Sequence, residues 1–167
     1  MEHPGEPNAQ RAIDSRSAFV SAVHQAVDRA LTQRARRMLW VDSDFAEWPL
    51  DDPVLLQRLT DWLRLPQRQL VLLASDYEDL RRRCPRFVAC YRLWSHAITA
   101  QGPAEDDVAQ LPCLLLADRT LLVQLLDKTH WRGWVSIEPA SMRLAREQAD
   151  ALLQRSAPAF AVTTLGL

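Results

Sequence analysis

Leu111-Pro112-Cys113-Leu114-Leu115-Leu116-Ala117-Asp118 is the stretch on which the fold turns. From Cys113 to Ala117 every side chain is apolar, and a second run, Leu121 to Leu126, apolar but for Gln124, follows Asp118-Arg119-Thr120. An unbroken apolar run of this length reads as a strand covered on both faces. Two such runs around a short polar link predict antiparallel strands meeting at a tight turn.

Upstream, Met38-Leu39-Trp40-Val41 reads as a strand ending at Asp42-Ser43-Asp44, and Leu70 to Ala74 as a second. His96 to Ala100 reads as a short third strand. Helical spacing separates them. Phe19, Val20, Val23, Val27, Ala30 and Leu31 follow an expected cap at Ser17, and Arg34, Arg36 and Arg37 close that helix. Asp52-Pro53 opens a second helix with Leu55, Leu59, Trp62 and Leu63 as its stripe, ended by Pro66. Ser75-Asp76-Tyr77-Glu78 has the pattern of a capping box before a helix interrupted near Pro85 and restarting toward Trp94. Gln101 to Gln110 reads as a surface loop, and Lys128 to Ser136 as a polar, aromatic stretch. Pro139 opens a last helix with Met142, Ala145, Ala149 and Leu152 on one face, and Pro158 ends it. The expectation is an α/β fold, a mixed central sheet of about five strands flanked by helices. Residues 1–14 are expected to be a loose tail and residues 15–167 a single domain.

A chain of 167 residues, 48% hydrophobic and 25% charged, fits a soluble globular protein. Its net charge of −1 supplies no general attraction for nucleic acid or anionic membrane, which argues against a nucleic-acid partner. Lys128 is the sole lysine. Cys84, Cys90 and Cys113 form no C-x-x-C pair, and no apolar leader opens the sequence, so a reducing cytoplasm is expected. No run approaches the ~20 apolar residues of a membrane span. No cofactor is expected, and no metal: Cys84 and Cys90 flank a proline without a nearby ligand pair.

The spacing of Leu111, Cys113 and Asp118 resembles the His-x-Lys-x-x-x-x-Asp motif of the phospholipase D superfamily, with Leu111 in the place of His and Cys113 in the place of Lys. The element order and late Asp-bearing strand are similar to a group of uncharacterised bacterial single-domain proteins of that superfamily, over roughly residues 17–158. The resemblance implies a half-domain that pairs with a second copy about a two-fold axis, hence a homodimer. It also implies a degenerate motif. His3, His24, His96 and His130 are followed two residues on by Gly5, Ala26, Ile98 and Arg132, so the sequence holds no His-x-Lys. Loss of a nucleophile has elsewhere cost on the order of 10⁶ in turnover. The expected role is therefore that of a pseudoenzyme binding a partner protein or a phosphate-bearing ligand.

A rival reading is enzymatic. Asp42-Ser43-Asp44, Ser75 and Asp118 each follow an apolar strand, an order that resembles haloacid dehalogenase-type phosphatases. That resemblance implies Asp42 as nucleophile, Asp44 as acid/base, Ser75 as phosphate ligand and Asp118 as Mg²⁺ ligand. Against it, no lysine precedes Asp118, no carboxylate stands beside it, and Phe45 replaces the family's small-residue turn. Asp42, Asp44 and Ser75 are equally residues that cap turns and helices.

Ligands of open α/β sheets bind beyond the carboxyl ends of strands, which brings in Ser75 and Asp76. Arg81, Arg82 and Arg83 follow, but a helix spreads three consecutive residues around most of its circumference. His96 is either a structural or a ligand-facing histidine. Arg132, between Trp131 and Trp134, could stack a base or sugar, or the two tryptophans could close over the core. The expected ligand set is Ser75, Asp76, His96, Asp118 and Arg132, with Trp131 and Trp134 at the homodimer interface.

Overall fold

A computed structural model describes residues 10–161. Its elements run β1 (Gln10–Ile13), α1 (Arg16–Thr32), β2 (Arg37–Val41), α2 (Pro53–Leu63), β3 (Gln69–Leu73), α3 (Glu78–Arg83) and α4 (Pro85–Leu93). There follow β4 (Ile98–Gly102), a 3-10 turn (Glu105–Gln110), β5 (Cys113–Ala117), β6 (Leu121–Asp127), β7 (Arg132–Ser136), α5 (Pro139–Gln154) and β8 (Ala157–Pro158). One mixed sheet orders the strands β1-β7-β6-β5-β2-β3-β4-β8. β2, β3 and β4 are parallel; β5 returns antiparallel to β2, and the β5–β6 hairpin pairs Cys113 with Leu125 and Ala117 with Leu121.

Strand alternation sorts the core into two layers. Met38, Trp40, Leu70, Leu72, Cys113, Leu115, Ala117 and Val123 face α1 to α4. Leu39, Val41, Val71, Leu73, Leu114, Leu116 and Leu122 face α5, which covers them with Met142, Ala145, Ala149 and Leu152. The continuous apolar runs of β2, β3 and β5 are thus explained by burial on both faces. Trp62, fully buried, donates its indole N–H to the Ala35 carbonyl at 2.6 Å and ties α2 to the entry of β2. No described helix is long and apolar enough to cross a membrane.

Among the described residues the sheet has eight strands, not about five. β1 lies inside the stretch expected as a loose tail: Gln10 to Ile13 pair with Ser136 to Gly133. Three of its four residues are exposed, so no apolar alternation marks it; the free edge of β7 makes it a strand. The rest of that tail, residues 1–9, and residues 162–167 lie outside the described residues. β7 escapes sequence reading because Arg132-Gly133-Trp134 is neither alternating nor apolar. Gly133 is required there, since a Cβ would run into the Gln124 carbonyl and stand 2.8 Å from Leu125 Cα. β8 is two residues long and anchors only to Gln101 and Gly102. The third expected strand sits two residues later, at Ile98–Gly102. Ser15, not Ser17, caps α1, accepting from the Ala18 N–H at 3.1 Å. Ser75 does not cap α3; Asp76 accepts from the Glu78 N–H at 2.8 Å instead, while the break at Pro85 falls where expected.

Candidate functional site

The parallel strands end at one rim of the sheet. β2 delivers Asp42, Ser43 and Asp44 there, β3 delivers Ser75 and Asp76, and β6, running the same way, delivers Asp127 and Lys128. Lys128 bridges these groups: its Nζ donates to Asp42 Oδ1 at 2.8 Å and to Ser43 Oγ at 3.0 Å, and lies 4.0 Å from Asp44 Oδ1. Asp42 is 1% exposed, and its second oxygen accepts the Phe45 N–H at 3.0 Å. A buried carboxylate needs such partners, because an unpaired one would cost several kcal/mol. Partial burial opposes the charge on Lys128, but its hydrogen bond to Asp42 and that carboxylate's field outweigh it and raise the ammonium's pKa.

Beside this pair lies a small cavity of about 20 Å³, bounded by Phe19, Asp42, Glu47, Trp48, Cys113, Leu125, Lys128 and Trp131. That is room for about one water. Cys113 is 5% exposed, and burial, reinforced by the neighbouring Asp42 charge, pushes its thiol far above the ordinary range, so it is not a thiolate. Leu111 and Cys113, the positions matching His and Lys of the motif, do not share a pocket: Leu111 packs on the α5 layer and Cys113 on the opposite one.

The remaining groups at this rim are largely engaged. Asp44 accepts the Ala46 N–H at 3.0 Å. The Ser75 hydroxyl donates to the Ser43 carbonyl at 3.0 Å, and the backbone N–H groups of Ser75 and Asp76 donate to the same oxygen. His130 is exposed; its Nδ1 lies 2.8 Å from Asp127 Oδ2, and Asp127 also accepts the Thr129 and His130 N–H groups. The hydrogen bond from the His130 side chain, then that from its backbone, lowers the Asp127 pKa. Arg132 is exposed beside them. The Arg81, Arg82 and Arg83 side chains turn back to Glu78 and Asp79 on their own helix.

Asp118 lies at the opposite rim. It follows β5, which is antiparallel to β2; its N–H donates to the Arg37 carbonyl at the start of β2, and its carboxylate accepts from Arg146 Nη1 at 3.1 Å. His96, exposed against Trp94, precedes β4 and also belongs to that rim. The expected ligand set is therefore divided: Ser75, Asp76 and Arg132 at one rim, His96 and Asp118 at the other. The same separation removes Asp118 from the metal-ligand place that the phosphatase reading gave it beside Asp42. Among the described residues no group of three or more metal-ligating side chains converges. Trp131, partly buried, packs on Phe19, ring centroids 5.8 Å apart, against the core. Trp134 points to the other face of β7, half-buried, its indole nitrogen without a partner.

Two features escaped sequence reading. The Asp42–Lys128 pair joins residues 86 apart, and only the hairpin's return past β2 brings them together. An open cleft at the opposite rim, lined by Arg119, Pro139, Met142, Arg143 and Arg146, joins the β5–β6 turn to α5. The Arg143–Arg146 spacing on one helix face was its only sequence trace.

Solved structures of other proteins share this architecture, among them the following two. Nuc from Salmonella typhimurium, a phospholipase D family member, superposes with a TM-score of 0.59 at 9% identity, covering 91% of this chain and 98% of its own. The fold is phospholipase D-like. TrmBL2, an archaeal chromatin protein described for a novel mode of DNA binding, superposes with a TM-score of 0.63 at 10% identity over 90% of this chain. It covers 55% of the TrmBL2 chain, so the present chain spans about half of that protein. No family model and no curated protein matches the sequence. At such identities the likeness carries the fold and leaves the chemistry to the residues present.

Proposed function

We propose that this chain is a bacterial cytoplasmic phospholipase D-like domain that holds a phosphate-bearing ligand without cleaving it and works as a homodimer. The observation that carries the reading is the state of the rim groups. The only lysine is spent on a buried carboxylate, and the motif positions are a leucine and a protonated thiol packed into opposite layers. A phosphodiesterase needs a free nucleophile within reach of phosphorus. His130, held by Asp127, is the one described histidine at this rim, with no free lysine beside it to stabilise an oxyanion. DNA binding by TrmBL2 makes a nucleic-acid backbone one source of the phosphate, though the net charge of −1 provides no general attraction for it. Half-buried Trp134, at the thinly covered end of the sheet, is the better candidate of the two tryptophans for a contact with a second copy.

The test is release of p-nitrophenol from bis(p-nitrophenyl) phosphate, with and without millimolar Mg²⁺. The expected rate equals that of buffer under both conditions. Turnover abolished by His130→Ala would return the protein to the hydrolases, and Mg²⁺-dependent turnover abolished by Asp44→Ala would revive the phosphatase reading.

A further inference from the structure

The cleft at the rim opposite Asp42 has an open volume of about 340 Å³ and gathers three guanidinium groups, from Arg119, Arg143 and Arg146. That volume is at the low end of small-molecule sites, which run from roughly 300 to 1,000 Å³. Of the three, Arg146 alone is in an ion pair among the described residues, with Asp118 at 3.1 Å, both side chains about one-third exposed. Asp118 thereby orients Arg146. Arg119 and Arg143 form no ion pair among the described residues, in contrast to Arg81, Arg82 and Arg83, each paired within its own helix. Glu138, the N-cap of α5, accepts from Ser141 Oγ and sets a carboxylate against the positive end of that helix's dipole, so the positive field of the cleft comes from the arginines.

The fold fixes this arrangement from two directions. The hairpin turn holds Arg119 at φ 61°, closed by the Thr120 N–H and hydroxyl on the Ala117 carbonyl. α5 is docked on the sheet by Met142 and Ala145, which sets Arg143 and Arg146, one turn apart, on the same flank of the helix beside Met142 at the cleft wall. Planar guanidinium forks match phosphate oxygens two at a time. Pro139 and Met142 add apolar wall beside them, suited to the carbon part of a ligand and indifferent to a bare ion.

We infer that this cleft binds a small organic phosphate ester, its phosphate held by Arg119, Arg143 and Arg146 and its carbon moiety laid on Pro139 and Met142. The inference rests on the phosphate-binding reading above and moves its site to the rim remote from the degenerate motif.

Isothermal titration of the full chain with phenyl phosphate, with inorganic phosphate and with a labelled DNA oligonucleotide tests it. Phenyl phosphate is expected to bind more tightly than inorganic phosphate. Arg119→Ala and Arg143→Ala should each weaken it by roughly tenfold, the loss of a charge-assisted hydrogen bond. Both side chains are exposed, so the fold should persist, as a thermal melt would verify. Arg81→Ala serves as the control and should leave the affinity unchanged. Undiminished binding to the Arg119→Ala/Arg143→Ala double variant overturns the cleft while the phosphate reading survives, and loss on Arg132→Ala would then place the ligand at the other rim. If only the oligonucleotide binds, steeply weakened by salt and dependent on the same arginines, the small ester is replaced by a nucleic-acid backbone. If none of the three binds the wild type, the cleft and the phosphate reading fall together.

Discussion

The two rims of the sheet carry the same kinds of groups, a carboxylate and cations, and put them to opposite uses. At the carboxyl ends of the parallel strands, Asp42 is buried and Lys128 is spent neutralising it beside a cavity with room for about one water. At the other rim, Asp118 and Arg146 meet in partial contact with solvent, with two further arginines unpaired over an open cleft. Burial decides the difference. A desolvated charge must be matched one for one, whereas a solvated one can be left in surplus and remain available to a ligand.

The contrast can be broken most directly at the closed rim. Asp42→Ala removes the partner of Lys128 and the acceptor of the Phe45 N–H, and should cost about 3 kcal/mol in urea unfolding, toward the lower end for a broken buried pair because Lys128 is 41% exposed. A loss below about 1 kcal/mol would put this pair in the class of surface bridges and erase the distinction.

Alkaline titration sharpens the same point. The folded pKa of Lys128 is raised, so its contribution is fully present below the unfolded lysine value, about 10.4, and is lost as pH rises through the folded value. The stability gap between wild type and Lys128→Met should therefore shrink as pH rises above about 10. The buried Tyr77 hydroxyl, also shifted upward by desolvation, titrates in both proteins and cancels in that difference. A gap that stays constant above pH 10 as well would mean the ammonium is not held by Asp42.

The smallest effect belongs to the open rim. Asp118→Asn should cost only about 0.5 kcal/mol, as expected of a pair about one-third exposed at each end. It should also strengthen anion binding in the cleft by unmasking Arg146. A loss several times larger would make the Asp118–Arg146 pair a structural lock like its counterpart.

Much of the architecture was legible in the chain. The apolar runs at 38–41, 70–74 and 113–117 mark strands because a strand buried on both faces rarely tolerates polar residues, and 121–126 keeps the same pattern but for Gln124. Met142, Ala145, Ala149 and Leu152 identify the buried stripe of α5 by spacing alone. The edge strands were not legible. β1 and β8 have exposed sequences, and β7 carries arginine and glycine, so their pairing depends on a neighbour's free edge and leaves no periodic trace. The same limit applied to the sites. Asp42, Asp44 and Ser75 were visible as residues ending strands, but one sequence could not tell that Asp118, which also ends a strand, points to the far rim. Strand direction makes that choice, and β5 runs against β2.

By itself, then, the sequence determined the α/β class, the central strands, the helices with their buried faces, and the lack of His and Lys at the motif positions. All of these are properties of local pattern and residue identity. Tertiary structure alone decided that the sole lysine would neutralise Asp42 from 86 residues away, and that Arg119 would meet Arg143 and Arg146 across an open cleft. Electrostatic pairing acts through space over a few ångströms, and only the direction and order of the strands fix which distant residues come that close.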